Sequence, residues 1–379
     1  MYPYSMCAAP AVPTSRSGSG KPHMETTNID DRVAGLSGGV PGVAIVVVGP
    51  EGVRARGAAG YADLASRVPM GTDIAAPWFS MTKIATATLA LRLHHEGILD
   101  LNERVIEAVP EVEMLSPTEW AHRITARHLL QHSSGLKNPL PVRWIHPASE
   151  PGPDPDEFLK TLLRKSSKLR AEPGSVTSYS NLGTLVLAAA MTRRAGASYE
   201  TLMQGRILEP LGMSSTGIGG APGARTATGY HPRYNPLRFI LPRWVIGEAD
   251  GRWLALKPFA VDGPPYGGIV GTPDDAARFL EMHLRNGLFD ETLIIPAEMA
   301  TEMRQITIEG KRYDLGLGWF RPASQRNSNP EFVEHLGGGA GFFNVMRAYA
   351  EEGVGAVVIG NATKYDIDAV AELALDFRD

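Results

Sequence analysis

Two short runs of β-branched and apolar residues lie near opposite ends of the 379-residue chain. The first, "GVAIVVVG" from Gly42, is followed by the turn "PEG" and a second extended run through Asp63, which is a hairpin signature. No polar residue alternates through it, so it reads as a strand covered on both faces. The second run, "GVGAVVIGN" up to Asn361, follows the strand-like pieces "LGLGWF" and "FFNVMRAYA". A short helical pattern ends near Leu36, and another spans about Ile367 to Phe377. Between the two ends, helical stretches dominate: "ITARHLLQH", "DEFLKTLLRKSSKL", "NLGTLVLAAAMTRRAG" and "SYETLMQGRILEPLG". "TPDDAARFLEMHLRNG" is an amphipathic helix with Thr272 as N-cap and Pro273 in its first turn. The span from Ser214 to Gly263 reads as loop.

Strands at both ends and helices between predict an α+β fold, in which the termini build one antiparallel sheet flanked by helices and the middle forms an inserted, mainly helical domain. The expected division is 25–85 plus 265–379 for the sheet-bearing domain and 86–264 for the insertion. Residues 1–24 read as a disordered or non-native tail; their Gly/Ser-rich "SRSGSGKPHM" has the form of a cloning junction, which would make Met24 the natural start.

Composition removes several function classes. Lys plus Arg number 37 against 41 Asp plus Glu, a formal charge of −4 with no long single-sign block, which argues against nucleic acid as a partner. Cys7 is the single cysteine, so neither an intramolecular disulfide nor a cysteine metal cluster can form. No stretch approaches 18 uninterrupted apolar residues and no basic start precedes an apolar core, so the expectation is a cytoplasmic protein without a membrane span.

Chemistry enters at "PWFSMTKIATATLALRLHH", where Ser80 and Lys83 stand three residues apart at the front of a nearly all-apolar run. On a helix they share a face, so the amine can reach the hydroxyl. Lysine is a poor base at neutral pH unless burial or cationic neighbours lower its pKa, and Trp78, Phe79, Met81, Ile84 and Ala85 supply an apolar setting. The same spacing recurs at Ser134 and Lys137, but Gly135 and Pro139 make that stretch a loop. In "VTSYSNLGTL", Tyr179 and Asn181 alternate ahead of a buried helix; the bland reading is a helix cap at Ser180 or Asn181 beside a half-buried tyrosine. A tyrosine relays protons when a nearby cation lowers its pKa, and an asparagine amide can hold a lysine or a substrate carbonyl. In "EHLGGGAGFFNV", His335 and four glycines precede a strand, where bare backbone N–H groups can receive an oxyanion; a bulge or tight turn would need the same residues.

Taken in order, "SMTK", "YSN" and "HLG" resemble the motifs of the serine β-lactamase and penicillin-binding protein superfamily, in its class C β-lactamase, D-Ala-D-Ala peptidase and family VIII carboxylesterase branch. Further landmarks of that group extend the resemblance over nearly the whole chain: "EGILDLNERV", "ITARHLLQHSSGL", "ILEPLGM", "YGGIVGTPDDAARFL" and "YDLGLGW". The resemblance implies Ser80 as acylated nucleophile, Lys83 as its base, Tyr179 as proton relay to the leaving group, and Asn181 as the group orienting Lys83 and the substrate carbonyl. It also implies an oxyanion hole from the Ser80 and Gly338 backbone N–H groups, beside Gly337. His335 departs from the lysine that lactam-processing members usually carry there, and a neutral imidazole is the weaker anchor for a carboxylate.

Rival motifs fit less well. "GLSGG" at Gly35–Gly39 has the G-x-S-x-G spacing of the α/β-hydrolase elbow, but a helical segment precedes it and a strand follows. "HLLQH" at His128–His132 lacks the glutamate of a zinc helix, adjacent His94 and His95 cannot face one ion, and "GSGK" before Pro22 lacks the phosphate-loop residues. The expectation is therefore a serine hydrolase without metal or cofactor, a carboxylesterase acting on small-molecule esters of short to medium acyl chains. D-amino-acid peptides or amides and β-lactams are the alternative substrates, and a non-catalytic binding protein on the same fold is the alternative of another class. Residues around Tyr230 to Trp253 are expected to wall the acyl pocket.

Overall fold

The computed structural model describes residues 28–139 and 144–378. Cys7 and the tail 1–24 lie outside the described residues. One eight-stranded antiparallel sheet organises the fold, as the hairpin and the C-terminal strand runs predict. Its strands are β1 (Gly42–Gly49), β2 (Gly52–Asp63), β3 (Val68–Pro69), β4 (Tyr313–Leu315), β5 (Phe320–Pro322), β6 (Val333–Gly339), β7 (Phe342–Tyr349) and β8 (Val354–Gly360). They lie in the order β4-β5-β6-β7-β8-β1-β2-β3, so the two chain ends meet where β1 pairs with β8, with Val43 opposite Gly360 and Val48 opposite Gly355.

Strand β1 is buried along its whole length, and the alternation of its side chains explains the missing polar residues. Ala44, Val46 and Val48 face the large core shared with the helical region, while Val43, Ile45 and Val47 face helix α1 (Ile29–Leu36) and a C-terminal helix at Ile367–Glu372. Helix α2 (Thr82–His95) lies across the sheet with every residue from Thr82 to Leu91 buried, as an all-round apolar sequence requires. It stops at Gly97, whose φ of 71° admits the left-handed turn in which Ile98 N–H donates to Leu93 O. Helix α3 (Asn181–Ala195) is capped by Ser180, whose hydroxyl accepts from Gly183 N–H, and Thr272 caps helix α4 (Pro273–Leu284) in the same way.

Two expectations need correction. The "ITARHLLQH" stretch is helical only over Ala126–Leu130. The span read as loop carries a three-stranded sheet, in which Trp253–Leu256 lies between Tyr230–Pro232 and Ile246–Asp250, and Phe259–Val261 pairs with Ile145–Pro147. These strands are three to five residues long and broken by Pro and Gly, too short for alternation to register.

Candidate active site

A 3₁₀ turn, Phe79–Met81, delivers the chain from a short extended piece into α2 and places Ser80 at the helix entrance. Phe79 holds φ = 48°, an uncommon backbone angle for a bulky residue, which persists only where its surroundings impose it. They do so here. The Phe79 ring packs against Phe259 and Phe342 with centroids 6.1 and 6.2 Å apart. Asn344 on β7, fully buried, donates from Nδ2 to Pro77 O at 2.8 Å, and Trp78 N–H donates to Ile269 O at 2.8 Å. The entry to the turn is thus fixed to neighbouring strands.

The one-turn spacing of Ser80 and Lys83 brings Oγ and Nζ to 3.3 Å. Lys83 is 3% exposed, and its Nζ reaches Tyr266 O at 2.9 Å, between the Tyr179 and Tyr266 rings at 4.7 and 5.4 Å. Burial pushes its pKa well below the ordinary 10.5. A neutral amine has two donors and one lone pair; with one N–H on Tyr266 O, the lone pair is available to the Ser80 hydroxyl proton.

Tyr179 closes the group from the other side. Its buried Oη has no hydrogen-bond partner among the described residues, and burial raises its pKa; proximity to the Ser80 hydroxyl offsets part of that rise without meeting hydrogen-bond geometry. A neighbouring cation was expected to lower this phenol. With Lys83 neutral, burial wins and Tyr179 stays protonated, fit to give a proton rather than to take one.

His132 aligns this segment and was read in the sequence only as structural or surface. It is structural, yet it belongs to the site. Its Nδ1 accepts from Ser180 N–H at 3.2 Å, its carbonyl accepts from Ser178 N–H at 2.8 Å, and its ring stacks 4.7 Å from that of Tyr179. Burial lowers its pKa to about 3, so the imidazole is neutral.

The "HLGGG" residues precede strand β7, as expected, and themselves form strand β6. Its alternation sets His335, Gly337 and Gly339 toward the turn at Phe79. A Cβ on Gly337 would collide with Trp78 O, and one on Gly339 with the Phe79 ring, so the glycines let β6 press against the turn. His335 is 1% exposed, lies 4.6 Å from the Phe320 ring and 6.1 Å from the Tyr179 ring, and donates from Nδ1 to Leu336 O at 2.8 Å. Burial holds it neutral, and its Nε2 has no hydrogen-bond partner among the described residues. Expected to meet substrate, it sits behind Tyr179 instead. Next to it, Glu334 pairs with Arg347 at 2.7 Å across β6 and β7, both 1% exposed.

A chamber of ≈ 90 Å³ opens on Ser80, with Asn181 and Gly338 on its wall and apolar residues including Phe79, Trp144, Ile145 and Phe259 around it. No charged or imidazole side chain lines it among the described residues. Asn181 faces the chamber as expected, but no hydrogen bond joins it to Lys83; its N–H is held by Asn138 Oδ1 at 2.9 Å, and its own Oδ1 is unpaired. The Tyr266 carbonyl has the orienting part. From the span expected to wall the pocket, Leu241 contributes; Phe259 and Val261 just beyond it complete that side.

The rival motifs fall elsewhere. Ser37 ends α1, its Oγ donating to Ala34 O, and β1 follows. Ser134 Oγ accepts from Leu136 N–H within its loop. His128 takes part in the capping box at Thr125, and His94 Nδ1 lies 2.9 Å from Leu99 O. Among the described residues, no three His, Cys, Asp or Glu side chains group as a metal ion would need, and no helix is long and apolar enough to cross a membrane.

The eight-stranded sheet with its helical region, and the Ser80, Lys83 and Tyr179 side chains gathered at the entrance of α2, belong to a serine hydrolase of the β-lactamase and penicillin-binding protein superfamily. Residues 26–377 match the family described as Beta-lactamase, and the chain belongs to it. Esterase EstB of Burkholderia gladioli is 31% identical over 271 residues, covering 66% of this chain and 68% of that one. The D-alanyl-D-alanine-carboxypeptidase/endopeptidase AmpH of Escherichia coli K12 is 28% identical over 288 residues, covering 74% and 69%. Among solved structures, the D-amino acid amidase from Ochrobactrum anthropi SV3 complexed with D-phenylalanine is 25% identical and superposes with a TM-score of 0.72 over 92% of this chain and 95% of that one.

Proposed function

We propose that the protein is a carboxylesterase for short to medium acyl esters, working through an acyl-enzyme on Ser80. As Oγ attacks the ester carbonyl, its proton passes to the Lys83 lone pair. The oxyanion forms between the Ser80 and Gly338 N–H groups, an arrangement in which one donor contributes about 3–4 kcal/mol. Tyr179 gives a proton to the departing alkoxide and regains one from Lys83, and water then cleaves the acyl-enzyme with the transfers reversed. Asn181 holds the carbonyl end of the substrate.

The observation that carries the ester reading is the uncharged lining of the chamber. A β-lactam or a peptide C-terminus brings a carboxylate, for which the described lining offers no cation, and the imidazole of His335 is neutral and turned away. Esters carry no such charge. D-aminoacyl amides also lack a carboxylate, and the likeness to the Ochrobactrum amidase makes them the second reading.

The test is to present a chromogenic short-chain ester, a chromogenic cephalosporin and a D-alanyl anilide to the wild type and to Ser80→Ala. Ester turnover lost in Ser80→Ala is expected. Ester turnover that survives the substitution defeats the mechanism, and turnover of the anilide alone moves the function to D-aminoacyl compounds.

A further inference from the structure

A second cavity, ≈ 420 Å³, lies beside the catalytic chamber, formed by residues 239–244 together with Ile145. Ile145 and Leu241 line both spaces, so these two half-buried side chains are the partition between them. The smaller space holds Ser80; the larger one has no role in the chemistry described above. Its floor is anchored by the pairing of Ile145–Pro147 with Phe259–Val261, whose Val261 and Phe259 also line the catalytic chamber.

The surface around the larger cavity is unusual for its composition. Phe239 is 77% exposed and Ile240 50% exposed, while Leu241 and Trp244 beside them are half-buried. Exposed apolar side chains standing next to one another at the mouth of a cavity gain by covering, and the continuity of this cavity with the Ser80 chamber says what would cover them. A carbonyl carbon seated at Ser80 leaves a chain longer than the small chamber can hold an apolar path past Leu241 and Ile145, which line both spaces.

We propose that the cavity at 239–244 is a second substrate subsite, taking a linear alkyl chain of the ester that extends past the Leu241–Ile145 partition. The inference rests on the ester-cleaving role of Ser80. Arg243 also lines the cavity and can meet a chain ending in a polar group, but the contacts with Phe239, Ile240 and Leu241 are apolar and scale with chain length. The alkyl chain can belong to the acyl half or the alcohol half of the ester; the chemistry of the contact is the same.

Two substrate series separate these sources: p-nitrophenyl acetate, butyrate and octanoate, and ethyl, butyl and octyl acetate, each compared between wild type and Phe239→Ser/Ile240→Ser. Each methylene that enters the subsite is expected to raise kcat/KM about fourfold in the wild type. The octanoate-to-acetate ratio, or the octyl-to-ethyl ratio, is expected to fall at least about tenfold in the variant, and the series that responds identifies the half of the ester. Equal ratios in both proteins overturn the subsite. Binding of decanoate to Ser80→Ala, followed by calorimetry, reads the cavity without turnover. If no ester is cleaved but decanoate binds and Phe239→Ser/Ile240→Ser abolishes that binding, the subsite stands and the ester reading falls. If decanoate does not bind, or if the pair instead governs attachment to anionic phospholipid vesicles with chain-length ratios unmoved, the subsite is overturned.

Discussion

Lys83 Nζ lies nearer to the main-chain carbonyl of Tyr266, at 2.9 Å, than to the Ser80 hydroxyl, at 3.3 Å. A carbonyl can only accept, so it fixes one N–H of the amine and leaves the lone pair pointing elsewhere. Because the acceptor is backbone, no side-chain substitution at position 266 removes it; the amine is oriented by the path of the chain at Pro264–Gly267.

Lys83→Met should lower kcat/KM for a chromogenic ester by about 10²–10⁴, the usual contribution of a positioned base. In the wild type, the acid limb of the pH–rate profile should fall as Lys83 gains a proton, at a pH well under the ordinary lysine value. The stability of the wild type should also depend on pH, and in the same direction. The unfolded chain protonates this lysine below 10.5 while the folded one resists it, so across that window the unfolded state binds the extra proton and stability rises with pH. Lys83→Met removes the cost, and its Tm should exceed the wild-type Tm by a few degrees at pH 7, with the gap closing toward pH 10. Equal Tm values at pH 7 would show that the buried amine carries no penalty.

Tyr179→Phe should reveal its task through the leaving group. Burial keeps the phenol protonated, so its proton matters most where the departing oxygen is basic. Alkyl esters should lose about 10²-fold or more in kcat, whereas p-nitrophenyl esters, whose leaving group needs no proton, should lose much less. Equal losses for both would remove Tyr179 from leaving-group protonation.

His132→Leu should act through Tyr179. It strips the acceptor from Ser180 N–H and the ring from beside the phenol, and an orphaned buried N–H costs about 1–3 kcal/mol. Denaturant unfolding should report that loss, and steady-state kinetics should show kcat falling more than KM rises. A variant with wild-type kcat would leave His132 a packing residue alone.

Gly337→Ala should damage both stability and turnover, because the added methyl meets Trp78 O and drives β6 from the turn that carries Ser80. Gly205→Ala is the matched control, since a Cβ there meets nothing within 4 Å. Thermal melts of the two proteins compare them directly, and similar melts would mean that the close approach of β6 is dispensable.

Ser80 and Lys83 were legible in the sequence because one helical turn brings them together whatever the rest of the chain does. Tyr179 and Asn181 were legible for a similar reason, and the cap at Ser180 turned out to accompany them. Strand β1 announced its two covered faces by the lack of any polar residue. Tyr266, Asn344 and His132 left no such trace: a carbonyl has no sequence signature, and the other two matter through partners far away in the chain. His335 shares its strand face with Gly337, the side pressed against Trp78, and its ring packs on Phe320 and Tyr179 without lining the chamber, a placement its spacing alone does not reveal. The small sheet between Tyr230 and Leu256 stayed hidden because its strands are brief and half-exposed.

The pairing of β1 with β8 has a consequence for biosynthesis. A nascent chain releases β1 together with its hairpin partner β2 long before β8, so one side of this apolar strand waits for its neighbour while the intervening residues are made. Strand β6, which braces the Ser80 turn, also emerges late. A chain stopped before β6 would lack both the strand that braces the Ser80 turn and the one that covers the open side of β1, and would expose apolar surface instead of completing the site.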